Sequence, residues 1–220
     1  MCKTITVVLD LDDTLYSERE YVRSGLSSLA KSFQRWLPNS GSLMLDDVIS
    51  HSKPLDVLFE RTDLPESVKE SMLWMYRLHK PDIELYPEAR EFIDFCYQNN
   101  FELAIITDGR FVSQSLKLDA LGLTSIKSYI SEKYEESKPS EGRFLAVQRD
   151  FPSTQYVYVG DNPTKDFIAP NQLGWITVGI RYQERNIHSY DENSLTMLQR
   201  PSVWVDRISE VKKVILEAVS

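Results

Sequence analysis

The chain has 220 residues, enough to bury a sizeable core, and its 33 acidic against 25 basic residues give a formal net charge of -8. This balance offers no broad cationic face for nucleic acid or anionic lipid, so a small-molecule partner is the better expectation. The two cysteines show no metal or disulfide spacing, and the first apolar run is too short for a signal peptide or a membrane span. We expect a cytoplasmic protein, a monomer or homodimer, with neither nucleic acid nor membrane as a partner.

The first predicted element is a strand at 4–9, a β-branched run that ends abruptly in charged residues, as a strand buried on both faces would. Residues from about 18 to 78 then place apolar side chains at helical spacing and contain no convincing strand. This change of pattern predicts an all-helical insert, residues 17–81, within a larger domain formed by residues 1–16 and 82–220.

After the insert, strand-like runs alternate with helical patterns. The predicted strands lie at 101–107, near 128, and at 155–161, 175–180 and 202–205. Such alternation predicts a doubly wound α/β fold, a Rossmann-like core with a parallel sheet. Ligands bind such sheets at the carboxyl ends of the strands, so the residues that follow each strand are the candidate site.

Two carboxylates follow the first strand. In Asp10-Leu11-Asp12-Asp13-Thr14, Asp10 and Asp12 are separated by one residue, and in an extended or turning backbone they can face the same side. One site would then contain two carboxylates with different neighbours. The alternative is an acidic turn or a helix N-cap.

The second strand end carries Thr107-Asp108-Gly109, where a hydroxyl and backbone N–H groups could bind phosphate oxygens. Thr107 is equally suited to cap the following helix. Lys138, just before a proline, could neutralise a transferring phosphoryl group, although a lone loop lysine is commonly a solvated charge.

A third strand end carries the segment GDNPTKD at 160–166. Its carboxylates, Asp161 and Asp166, could bind a hard divalent cation through oxygen. Both residues could instead belong to the start of the next helix.

These segments together resemble the motifs of the haloacid dehalogenase superfamily. The matching residues are DLDDT at 10–14, Thr107, Lys138 and GDNPTKD at 160–166. The helical insert is similar to the small helical, C1-type cap of that family. The resemblance implies a hydrolase of the phosphatase branch, a phosphoric monoester hydrolase.

By this resemblance Asp10 is the nucleophile that forms an aspartyl-phosphate, and Asp12 acts first as acid and then as base, which requires its pKa to be raised while the site is closed. Phosphate oxygens would be bound by Thr107, Asp108, Gly109 and Lys138. Mg²⁺ would be bound by Asp10, the backbone carbonyl of Asp12, Asp161 and, as the outer partner, Asp166.

The resemblance therefore implies a Mg²⁺-dependent phosphatase for a small phosphorylated metabolite: a sugar phosphate, a phosphoglycolate-like acid or a nucleotide monophosphate. Tyr16, Arg19 and Arg23 lie just past the nucleophile and are candidates for contacts to the leaving group. A phosphomutase and a non-catalytic phosphoacceptor remain as alternatives. Asp13-Thr14 stands where the family's mutases tend to have Gly-Val, which favours the phosphatase.

Overall fold

The computed structural model describes residues 4–37, 45–181 and 190–219, which contain a sheet of six parallel strands in the order β3-β2-β1-β4-β5-β6. The predicted doubly wound α/β fold is confirmed, and the predicted strands are all present within a residue or two. They are β1 (Ile5–Leu9), β2 (Glu102–Thr107), β3 (Lys127–Ile130), β4 (Gln155–Gly160), β5 (Ile176–Ile180) and β6 (Val203–Val205).

Helices connect the strands and cover both faces of the sheet. They are α1 (Glu18–Ser32), α2 (Leu45–Ser50), α3 (Pro54–Glu60), α4 (Lys69–Leu78), α5 (Pro87–Gln98), α6 (Phe111–Ala120), α7 (Ser131–Tyr134), α8 (Gly142–Asp150), α9 (Ile168–Gln172) and α10 (Val211–Val219). Short 3-10 turns lie at Gln34–Trp36, Glu66–Val68, Glu192–Ser194, Met197–Gln199 and Ile208–Glu210. Among the described residues, none of these helices combines the length and the apolar character that a membrane crossing requires.

The position of β1 in the centre of the sheet explains why its sequence is continuously apolar. Val7 and Leu9 belong to the apolar cluster on one face of the sheet, while Val8 belongs to the cluster on the other, and all three are fully buried. Successive side chains of a strand point to opposite faces, so a strand covered by helices on both sides has no polar alternation.

Helices α1 to α4 lie between β1 and β2 and share an apolar cluster of their own, which includes Leu26, Leu58 and Met72. The chain enters and leaves this helical unit at neighbouring points, because the backbone N–H of Tyr86 donates to the carbonyl oxygen of Leu15 at 2.9 Å. The boundaries predicted for the insert, at 17 and 81, stay a prediction.

The helix predicted to begin near Thr164 starts later, at Ile168, so that prediction is wrong. Residues around Asn162 form a turn in which the Asp166 carboxylate accepts from the Asn162 N–H at 2.9 Å and the Thr164 hydroxyl donates to the Asn162 side chain at 2.6 Å. Local bonds from side chains compete with helical bonds and delay the helix.

The strand order brings the acidic segments together. β1 pairs with β4 in the middle of the sheet, and the strand order reverses between them. Asp10 directly follows β1 and Asp161 directly follows β4. The crevice at such a reversal is where doubly wound sheets bind ligands.

We predict that Phe92→Ala lowers the free energy of unfolding by about 3–5 kcal/mol, because it removes a fully buried ring from the core under the sheet. Urea denaturation measures the change. Glu91→Ala, at an exposed position on the same helix, should stay within about 0.5 kcal/mol. Equal effects of the two substitutions would contradict this packing.

Candidate active site

A small cavity of about 80 Å³ opens at the carboxyl ends of β1, β2 and β4. The motif residues predicted from the sequence meet here, since Asp10, Asp12, Thr107, Asp108 and Asp161 all contribute to its wall. The complete lining is Asp10, Asp12, Asp13, Glu18, Thr107, Asp108, Asp161, Asn162 and Lys165.

Three carboxylates form a compact cluster at one side of the cavity. One carboxylate oxygen from each of Asp10, Asp161 and Asp166 lies within 4.8 Å of the others, and all three residues are buried. Burial raises the pKa of the Asp10 carboxyl to about 7 and that of Asp161 well above its usual value. Carboxylate oxygens crowded in this way fit a hard divalent cation, whose charge would relieve their repulsion.

Lys138 provides the positive charge within this cluster. Its ammonium group forms ion pairs with Asp10 and, at 2.6 Å, with Asp166, and it donates to the Tyr158 hydroxyl at 3.0 Å. The ammonium is almost completely buried, so these contacts fix it beside the predicted nucleophile. Tyr158, which lies within β4, was not singled out from the sequence.

Asp12 lies outside the acidic cluster and has its own partners. One oxygen forms an ion pair with Lys117 at 2.7 Å and accepts from the Tyr16 hydroxyl, and the other accepts from the Gln114 amide at 2.9 Å. Asp10 and Asp12 therefore face different surroundings, as the sequence predicted.

In this structure the pKa of Asp12 is lowered, whereas the predicted mechanism requires a raised pKa while the site is closed. Burial by itself would raise the pKa, but the Lys117 ammonium and the hydrogen bonds from Lys117, Tyr16 and Gln114 lower it below its usual value. Lys117 comes from α6, far from Asp12 in the sequence, and nothing near Asp12 in the chain indicates this partner.

The Thr107 hydroxyl faces the cavity and accepts from the Gln114 amide at 2.7 Å. Arg143, which is fully buried, donates to the Thr107 carbonyl oxygen at 2.9 Å and to the Asp108 carboxylate at 2.6 Å. Arg143 therefore fixes this strand end from behind.

Gly109 was predicted to bind phosphate oxygens, and this role stays a prediction. Its backbone N–H already donates to the Ser131 hydroxyl at 2.9 Å, and Gly109 is not part of the cavity wall. The residue is needed for its backbone, because its φ is +144° and a Cβ there would lie 3.1 Å from the Gln114 side chain.

The three residues proposed for the leaving group lie in different places. Tyr16 is fully buried and reaches Asp12. Arg19 is exposed, and Arg23 forms ion pairs with Glu20 and Asp46; neither arginine lines the cavity.

The residue of this segment that does line the cavity is Glu18, at the start of α1. Burial raises the pKa of its carboxyl to about 7, and the nearby charge of Asp12 adds to the shift. Glu18 was not selected from the sequence.

Two other residues were missed although a sequence signal existed. Gln114 and Lys117 lie three positions apart on α6, so they share one face of a helix that begins next to the Thr107 strand end. A polar pair on the helix face nearest a candidate site is a signal that could have been used.

We predict that Lys117→Met raises the pKa of the Asp12 carboxyl, because burial remains while the largest compensating charge, the Lys117 ammonium, is lost. A carboxyl ¹³C NMR titration measures this pKa. Lys213→Met, which removes an exposed charge from α10, should leave the titration unchanged. An unaltered Asp12 titration in Lys117→Met would contradict the assigned role of the ion pair.

With this geometry established, the chain can be compared with known proteins. Glyceraldehyde 3-phosphate phosphatase of Methanocaldococcus jannaschii is 25% identical and is matched over 94% of this chain and 98% of its own length. YfnB of Bacillus subtilis bound to magnesium superposes with a TM-score of 0.68 at 17% identity, covering 97% of this chain and 99% of YfnB. A HAD family hydrolase of Deinococcus radiodurans with bound phosphate and sodium superposes with a TM-score of 0.69 at 15% identity. The match covers 99% of this chain and 97% of that protein.

The two structural likenesses show the fold alone. The family itself is shown by its sequence pattern, that of the haloacid dehalogenase-like hydrolases, which matches residues 7–180 and so spans both the acidic segments and the sheet that positions them. The resemblance noted from the motifs is confirmed: the chain belongs to the haloacid dehalogenase-like hydrolase family.

Proposed function

We propose that this protein is a Mg²⁺-dependent phosphatase that hydrolyses a small phosphomonoester through an aspartyl-phosphate on Asp10. One observation carries the proposal. Asp10 lies in a buried cluster with Lys138 and two further carboxylates, whereas Asp12 faces the same cavity with separate partners. Asp10 is thus arranged to attack phosphorus. Asp12, which lies outside the cluster, can exchange protons.

In the first step a carboxylate oxygen of Asp10 attacks phosphorus and the bond to the ester oxygen breaks. Asp12 donates a proton to the departing oxygen. Because Lys117 lowers the pKa of Asp12, this proton depends on the substrate: the negative charge of a bound phosphoryl group favours the protonated carboxyl.

In the second step water attacks the phosphorus of the aspartyl-phosphate, Asp12 accepts a proton from the water, and the Asp10 carboxylate is released with inorganic phosphate. The lowered pKa of Asp12 suits it to this role as base. The Lys138 ammonium and the Thr107 hydroxyl stabilise the charge on the phosphoryl oxygens.

Asp10, Asp161 and Asp166 would bind the magnesium ion, with the backbone carbonyl of Asp12 as a further ligand. Such an ion would neutralise charge that otherwise opposes the approach of a phosphate dianion to a carboxylate. The donor set consists of oxygen atoms only, which suits magnesium.

Named relatives support this function. One relative acts on glyceraldehyde 3-phosphate as a phosphatase, and similar structures are described with magnesium or with phosphate bound. We further propose that residues 17–81 form a helical cap over the site. The YfnB structure is described as revealing interdomain movement, which agrees with a unit that opens for a substrate and closes over it.

The proposed function predicts the reaction class that an assay should detect. A panel of sugar phosphates, nucleotides, acid phosphates and an aryl phosphate should release inorganic phosphate with Mg²⁺ and not with a chelator, because the clustered carboxylates repel the substrate without a cation. Colorimetric phosphate release is the measurement. A folded protein that releases no phosphate would contradict the proposal and favour a phosphomutase or a phosphoacceptor.

The proposed function also predicts the effect of replacing the nucleophile. Asp10→Asn should reduce phosphate release by about 10³-fold or more while the protein stays folded, since an amide cannot attack phosphorus and the volume is unchanged. Circular dichroism and phosphate release are measured together. Asp94→Asn, at an exposed position, is the matched control and should retain full activity. Phosphate release at the wild-type rate by folded Asp10→Asn would exclude Asp10 as the nucleophile.

A further inference from the structure

Glu18 is the first residue of α1 and joins the helical unit to the cavity. Its backbone N–H donates to the Asp13 carboxylate at 2.8 Å, which fixes where the side chain begins. Across residues 4–37, 45–181 and 190–219, the Glu18 carboxylate has no hydrogen bond or ion pair, although it forms part of the cavity wall. A half-buried carboxylate without a partner is available to a bound molecule.

The position of Glu18 places it beside the leaving group. In-line attack by Asp10 directs the departing oxygen away from Asp10 and toward Asp12, the group that supplies its proton. Asp12 is also the charge that acts most strongly on Glu18. The alcohol attached to that oxygen therefore lies next to Glu18 on the side of Asp12 that faces away from Asp10.

The cavity offers little positive charge to an anionic alcohol. Six of the nine lining residues are acidic, and Lys165 is the lone cation among those that line the described cavity. Lys165 itself lies 3.9 Å from the Asp108 carboxylate. The charges of Asp10, Asp12 and Asp108 are matched by Lys138, Lys117 and Arg143.

Glu18 is different from those three residues because it forms no ion pair among the described residues, although the more distant charges of Lys117 and Lys165 partly oppose the rise in its pKa. A second carboxylate or phosphate on the substrate would face Glu18, and like charges in a partly desolvated site repel strongly. A hydroxyl group at the same place would instead donate to the carboxylate of Glu18.

We propose that Glu18 determines substrate class, selecting phosphomonoesters of uncharged, hydroxyl-bearing alcohols and rejecting alcohols that carry a carboxylate or a second phosphate. This inference rests on the proposed phosphatase function. It narrows that function, since specificity comes from repelling the wrong molecule as well as from binding the right one.

The test uses two substrates with one carbon skeleton. Glycerol 3-phosphate and 3-phosphoglycerate differ in having a hydroxymethyl or a carboxylate group at one end. With Mg²⁺, about one pH unit above the Glu18 pKa of about 7, kcat/KM should be about tenfold or more higher for glycerol 3-phosphate. Glu18→Gln keeps the shape and removes the charge, and should lower this ratio by at least about threefold.

Two further variants separate the local charge from other effects. Glu20→Gln removes an exposed charge from the same helical turn and should keep the wild-type ratio. Glu18→Asp keeps the charge on a shorter side chain and should stay closer to wild type than Glu18→Gln does. These comparisons are ratios within each variant, so a general loss of activity does not alter them.

A wild-type ratio near one, or a preference for 3-phosphoglycerate, would overturn the inference while leaving the phosphatase function intact. If Glu18→Gln left the ratio of the two kcat/KM values unchanged, Glu18 would not determine the choice between these substrates. Failure to release phosphate from any monoester with Mg²⁺ would instead contradict the proposed function itself.

Discussion

The ammonium group of Lys138, buried between Asp10 and Asp166, is the interaction on which the rest of the site depends. A buried ion pair adds little net stability over an apolar alternative, but loss of one partner costs about 3–5 kcal/mol because a charge is left without compensation. Three buried carboxylates cluster beside this one lysine, and burial together with their mutual repulsion raises the pKa values of Asp10 and Asp161. This excess of carboxylates over cations serves function, because stability alone would not favour it.

Two aspartates separated by one residue have opposite pKa shifts because each faces a different part of the fold. Asp10 follows the end of β1 and faces β4, where burial and further carboxylates raise its pKa to about 7. Asp12 turns toward α6, where Lys117 and Gln114 approach it and its pKa is lowered. Under the proposed mechanism, the loop between β1 and α1 would therefore place attack and proton exchange in two different electrostatic environments.

The strands could be predicted because each is an apolar run of strand length, covered on both faces. The residues at their carboxyl ends followed from the fold class, and the structure brings Asp10, Asp12, Thr107 and Asp161 to one cavity. Interactions across the sequence could not be predicted in this way. Gln114 and Lys117, which contact Asp12, lie more than a hundred residues from it in the sequence, and the N–H of Gly109 donates to Ser131 of a later helix.

One hydrogen bond, from the Tyr86 N–H to the Leu15 carbonyl oxygen, closes the base of the helical unit. The helical unit leaves and returns to the sheet at neighbouring points, and helices α1 to α4 share an apolar cluster, although Tyr21 of α1 is buried in the cluster of the sheet. Adjacent ends and an apolar cluster of its own are what domain insertion requires, and the proposed cap has both. The sheet and its register make no demand on what is inserted there, so a unit of another size or shape could replace these helices while the catalytic strands kept their pairing. New selectivity could thus arise by exchange of a module as well as by stepwise substitution.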